Sequence, residues 1–187
     1  GEVIEYKKCT LGSGTATCDL AATVLRNDTN QPLNNPVIEV AGNGFIHTAW
    51  TVPGAGTVES RIHNGSSWNP GLASPPTEGI SSLTSPEQAA IAAGTNKVIL
   101  SVINGTGGGI VSVYNSPIGT VPHNWTNRAN FAASAAGGGA YDKVNGIGLD
   151  ANGTGAYLAW SIRDTDADTD IFKLAGSSGS SNGDTWS

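Results

Sequence analysis

Gly42-Asn43-Gly44-Phe45-Ile46-His47-Thr48-Ala49-Trp50 and Asn152-Gly153-Thr154-Gly155-Ala156-Tyr157-Leu158-Ala159-Trp160 carry one pattern, a glycine turn followed by a strand that ends on tryptophan. Between them, Gly94-Thr95-Asn96-Lys97-Val98-Ile99-Leu100-Ser101 is a third glycine turn that opens a strand. The end positions Trp50, Ser101 and Trp160 are 51 and 59 residues apart. A recurring spacing of this size marks a repeat architecture, in which one supersecondary unit stacks on the next.

Working outward, the segments before the three turns also correspond, at residues 36–41, 86–92 and 144–150. A further strand follows each time, at 57–62, 109–114 and 170–174, with the β-branched and aromatic residues that strands favour. A tryptophan then closes each unit, and Trp68, Trp125 and Trp186 are spaced 57 and 61 apart. Cys18 stands 50 residues before Trp68, where a preceding unit's tryptophan would fall. Residues 2–6 then read as the third strand of an earlier, incomplete unit. The expected organisation is a single all-β domain over 1–187, with a partial unit 1–18 and units at about 19–68, 69–125 and 126–187. Short antiparallel strands repeating at this period suit propeller-like four-stranded blades, with a β-sandwich as the alternative.

Composition agrees. The 187 residues include 26 Gly and 9 Pro, and only 13% are charged, about half the usual share. That favours short strands and turns over long helices or a highly charged disordered chain. No run approaches the ~18 apolar residues of a membrane-spanning helix, so membrane insertion is not expected. A net charge of −6 argues against nucleic acid as a partner. There is no Met, and no basic segment followed by an apolar one, which suits a mature, processed or trimmed product. Cys9 and Cys18 flank a glycine-bearing stretch that a hairpin would fold into disulfide range; two free thiols are the alternative. Two cysteines without a nearby His are too few for a metal site. Sequons at Asn27, Asn64, Asn104, Asn124 and Asn152 are glycosylation candidates in a secreted protein. Together these features point to a secreted, extracellular or cell-surface setting.

Asn182-Gly183-Asp184-Thr185-Trp186 and Asn64-Gly65-Ser66-Ser67-Trp68 resemble the end of the Asp-box, the Ser-x-Asp-x-Gly-x-Thr-Trp hairpin of sialidase-like β-propellers. The departures are specific. Ser181 stands at the box Asp position and Gly179 at its Ser position, His63 takes the Asp position before Trp68, and Pro122 replaces the glycine before Trp125. The resemblance implies a folding element, with a small side chain closing the hairpin, a glycine at positive φ and a tryptophan between blades. It also implies an enzymatic alternative, a fragment of a sialidase-like glycoside hydrolase. Such enzymes place three arginines on a carboxylate beside a Tyr–Glu pair and an acidic Asp. Only Arg26, Arg61, Arg128 and Arg163 are available, and there is no Phe-Arg-Ile-Pro segment.

No catalytic residue is assigned from the sequence. His47, His63 and His123 are dispersed, with no zinc-like spacing. Asp164, Asp166 and Asp168 alternate in an acidic run that either converges on calcium, the one cofactor candidate, or forms a solvated turn. Trp68, Trp125 and Tyr114 either stack on sugar rings or pack between units. Three units and a fragment do not close a normal ring. The expected partners are therefore further copies of the chain or the rest of a longer propeller, with glycans as ligands. An unpaired first strand at residues 2–7 would suit donation to a neighbour's sheet edge and growth of a filament. The function expected is that of a secreted, non-enzymatic structural or adhesive module.

Overall fold

Glycine turns and alternating side chains produce hairpins, and these account for nearly all the regular structure. The computed structural model describes residues 1–70, 79–105, 109–132, 143–153, 155–164, 169–177 and 183–187. Strand β1 (Glu2–Tyr6) leads into a hairpin of β2 (Cys9–Leu11) and β3 (Ala16–Cys18). The chain then returns antiparallel along β1 as β4 (Thr23–Asp28). Cys9 and Cys18 lie directly opposite each other in the hairpin and form a disulfide, with Cα atoms 3.9 Å apart. The first strand is thus not unpaired as expected. The hairpin reverses the chain and lays β4 along one edge of β1, Ile4 is buried, and the Glu2 carboxylate accepts a hydrogen bond from the Leu33 N–H.

Three further sheets follow in sequence order. The second holds β5 (Asn34–Val40), β6 (Ile46–Val52), β7 (Thr57–His63) and β8 (Trp68–Asn69), and β9 (Gly79–Ile80) also pairs with β7. The third holds β10 (Ala89–Ala93), β11 (Lys97–Asn104), β12 (Ile110–Pro117) and β13 (Thr126–Ala132). The fourth holds β14 (Lys143–Asn152), β15 (Gly155–Asp164) and β16 (Thr169–Ser177), and Ser177 bridges to Trp186. Each triplet of segments found by repetition forms three successive antiparallel strands of one sheet. The outer strands fall beyond the expected unit limits. β9 belongs with residues before 69 and β13 with residues before 126, because backbone pairing carries the chain past each tryptophan before it crosses to the next sheet.

The sheets stack face to face in chain order, with three cores between them. Ile4 and Leu25 of the first sheet meet Trp50 and Val52 of the second. Ala49 and Val58 of the second meet Val98, Leu100 and Val102 of the third. Ile99, Val111 and Val113 of the third meet Leu158, Trp160 and Ile162 of the fourth. The fold is therefore all-β with four successive layers, more than the two of a sandwich. The first strands β5, β10 and β14 run side by side, with β10 between the other two. Among the described residues the only helical element is a 3-10 turn at Pro53–Ala55, and no helix is long and apolar enough to cross a membrane.

Candidate functional site

The tryptophans lock sheet to sheet. Trp68 lies edge-on to Tyr6 of the first sheet and to His63, with ring centroids 5.1 Å away in both cases. Trp125 stacks on His123 at 4.5 Å and donates its indole N–H to Ser60 Oγ of the second sheet at 3.1 Å. Trp186 packs into the core between the third and fourth sheets. Asp184, two residues before it, meets Asn115, Arg128 and Lys97 of the third sheet. Hydrogen bonding by Asn115, with the two cations adding to it, holds the Asp184 carboxyl below its ordinary range. Tyr114 is buried in the core between the second and third sheets, so it offers no face for a sugar to stack on, contrary to one reading of the sequence.

The turns before Trp68 and Trp186 have specific backbones. Gly65 and Gly183 adopt φ of 90° and 78°, the left-handed region that favours glycine. His63, at the box Asp position, accepts the Gly65 N–H on its Nδ1 at 3.2 Å. Gly183 donates its N–H to Ser177 Oγ at 2.9 Å. Both hairpins are thus closed by a side-chain acceptor, neither of which is aspartate.

A buried polar chain lies where the second sheet meets the third. His47 on β6 is 0% exposed, and its Nδ1 lies 2.9 Å from His123 Nε2. His123 Nδ1 lies 3.0 Å from Ser60 Oγ. Donation running from Trp125 to Ser60 to His123 to His47 leaves both imidazoles neutral, with one proton on His47 Nε2. Among the described residues that nitrogen has no hydrogen-bond partner. Burial pushes His47 down to about 4 and, with the charge of His47 adding to it, His123 to about 3. The sequence offered no local sign of this pair, whose members are 76 residues apart.

The ends of the stack differ from its middle. Ten large hydrophobic side chains are exposed among the described residues, and nine lie at the two ends. At one end the outward face of the fourth sheet carries Tyr157, Phe172 and Leu174, at 62%, 79% and 82% exposure. Its cross-strand rows each combine one large residue with small or polar ones, as in Gly148–Ala159–Leu174 and Asp150–Tyr157–Gly176. A hollow of about 520 Å³ lies between them. At the other end, β1 and β4 expose Val3 and Val24, and the disulfide hairpin with its flank exposes Leu11 and Leu20. The two-stranded first sheet also leaves Ile38 and Val40 of β5 uncovered, on the face where Trp50 is buried.

The remaining candidates are scattered. Arg26 pairs with Glu59 at 3.0 Å and Asp28 at 2.7 Å. Arg61 is buried and donates to the carbonyls of Leu25 and Pro70. Arg128 meets Asn115 and Asp184, and Arg163 meets Asp170. These partners are spread over all four sheets. Burial raises the Glu39 carboxyl above its ordinary value, against a hydrogen bond from the Val40 N–H, and the charge of Asp150 on β14 adds to the rise. Asp166 and Asp168 lie outside the described residues, as does the side chain of Asp164. Among the described residues no three His, Cys, Asp or Glu side chains are grouped to hold a metal. Asn27, Asn64, Asn124 and Asn152 are exposed. Asn104 is half-buried, and its Oδ1 accepts the Thr84 N–H at 2.7 Å.

No protein-family model matches this sequence, and no curated protein does. Among solved structures the chain is similar to an α-L-arabinofuranosidase from Podospora anserina, determined in complex with cellotriose. The TM-score is 0.44 at 10% identity, over 91% of this chain and 59% of that one. The chain thus spans under two thirds of that neighbour's length, and a likeness at this level assigns it neither activity nor ligand.

Proposed function

We propose that the chain is a secreted, non-catalytic module built of sialidase-like β-propeller blades, three of them and a partial one, that works within a larger extracellular assembly. The observation that carries this reading is the placement of exposed apolar surface. Scattered exposed hydrophobics are ordinary, whereas contiguous patches mark interaction sites. Here nine of ten lie toward the two ends of the stack, on the outward face of the fourth sheet and on the first sheet, its hairpin and the part of β5 that the first sheet leaves uncovered. The blade assignment is supported by the consecutive strand order, the inter-sheet tryptophans, and the positive φ of Gly65 and Gly183 in the box-like turns. The disulfide fits an oxidising compartment, and four exposed sequon asparagines fit glycosylation. Adhesion through glycans would then use the loops of the completed assembly. Negative-stain imaging of native material beside its intact mass tests the reading. Fibres or closed rings are the expected result, and isolated particles of single-chain size that bury their end faces would sink it.

A second reading, a glycoside hydrolase fragment, is favoured by one observation. Burial raises the Glu39 carboxyl on β5, and the charge of Asp150 on β14, on the far side of β10, adds to the rise, so two carboxylates act on each other as acid–base cleavage of a glycosidic bond would use. Hydrolysis of an aryl glycoside panel that is lost in Glu39→Gln would support it, and no turnover by the wild type on any member would count against it.

A further inference from the structure

We infer that the outward face of the fourth sheet binds a second copy of this chain, front to back, on the open face of that copy's first sheet and β5. The inference rests on the assembly reading above and names its partner. Within the chain, the same contact is made three times, and it is heterologous each time. The front of one sheet meets the back of the next, never front to front. The fourth sheet has only its back covered. Its front has the chemistry of the interior contacts, with Tyr157 and Leu174 beside a hollow floored by Gly148, Ala159 and Gly176, and Phe172 exposed on the same face opposite Ser161.

The counterpart is at the other end. The first sheet has its front covered, by the second, and its back open, with Val3 and Val24 exposed. Beside it Ile38 and Val40 lie on a face that the two strands of the first sheet do not reach. One chain therefore carries both halves of the contact it repeats internally, at opposite ends of the stack. A front-to-back contact between copies continues the internal series, and it closes into a ring or runs on as a filament according to the rotation per copy.

The test uses two blocked variants of the whole chain. Phe172→Lys with Leu174→Lys blocks the front face, and Val24→Lys with Ile38→Lys blocks the back. All four side chains are exposed, so the monomer fold, followed by far-UV circular dichroism and melting, is expected to survive. In light scattering behind size exclusion, wild type is expected as multiples of 18.9 kDa. Each variant alone is expected as a monomer, with self-association weakened roughly a hundredfold or more by the buried charges. Their mixture is expected to give a one-to-one dimer, through the one intact front and the one intact back. A front-to-front or back-to-back contact would let one variant dimerise alone, and that result overturns the inference. A monomeric wild type overturns it as well. In that case, dye binding to the apolar face, lost in the front-face variant, would leave the assembly reading standing with another partner. No such binding would remove both.

Discussion

Lowering the pH from about 8 to about 5 is expected to destabilise the protein by about 4 kcal/mol through the His47–His123 pair alone. In the unfolded chain both imidazoles take up protons near pH 6.5. In the fold, burial keeps them neutral until about 4 and about 3. Below the unfolded value the unfolded state binds more protons than the native one. The stabilisation is therefore complete above pH 6.5 and is lost progressively as pH falls toward the folded values. At about pH 5 each histidine accounts for roughly 2 kcal/mol. That is a large part of a typical stability of roughly 5–15 kcal/mol, and it corresponds to a fall in melting temperature of order 10 °C. The assay is thermal unfolding across this pH range for wild type and for His47→Asn/His123→Gln, whose amides keep hydrogen-bonding atoms near the ring nitrogens without titrating. The variant should melt lower than wild type near pH 8 and lose most of the slope between pH 8 and 5. A variant with the wild-type slope would refute the assignment. So would a wild type that weakens only below about pH 4, where carboxylates take over.

Further outcomes follow from single contacts. Gly65→Ala meets no atom within 4 Å and should cost only backbone strain, about 1 kcal/mol, whereas Gly183→Ala also places its Cβ 2.9 Å from Ile99 Cδ1 and should cost about 2–3 kcal/mol. Equal losses in urea titrations would contradict the packing of that turn on the third sheet. Trp125→Phe keeps an aromatic ring over His123 but removes the N–H to Ser60, and should lower unfolding stability by about 1 kcal/mol beyond the effect of volume. If Ser60→Ala abolishes that difference in a double-mutant cycle, the hydrogen bond is its source; additive losses would point elsewhere. Replacing Cys9 and Cys18 by Ser should expose residues 9–18 to proteolysis while moving the main melting transition by less than about 3 °C, because the β2–β3 hairpin is solvent-exposed throughout. A larger fall would mean that the hairpin unfolds with the sheets.

Much of the strand plan was legible because a glycine turn between two alternating segments is a local signal. The turns at Gly44 and Gly153 needed no distant information, and neither did the Cys9–Cys18 hairpin. The outer strands were less legible. Thr126–Ala132 reads as polar and broken, and it joins the third sheet by pairing with β12, a partner the local pattern does not name. The histidine pair was invisible for the same reason, since two dispersed residues become a pair only once the second and third sheets are stacked. His63 shows a related limit. It breaks the box pattern in sequence, yet its ring nitrogen accepts the turn N–H, because the hairpin needs an acceptor at that place and not a carboxylate in particular.

The apolar pattern also says something that the isolated stack does not satisfy. A strand covered on both faces reads as an unbroken apolar run, and one with a solvated face alternates. Strands β6 and β12 are buried nearly end to end, as their place in middle sheets requires. In β16, Ile171, Phe172, Leu174 and Ala175 form an apolar run interrupted only by Lys173, the composition of a strand meant to be covered twice. Yet Phe172 and Leu174 stand almost fully exposed. The same conflict recurs at Val37-Ile38-Glu39-Val40-Ala41, where alternate residues are uncovered. Conflict between a strand's sequence and its surroundings is rare inside a fold, where local and global preferences agree. In this chain it occurs at the two ends of the stack, on the two faces that the proposed front-to-back contact between copies would bring together.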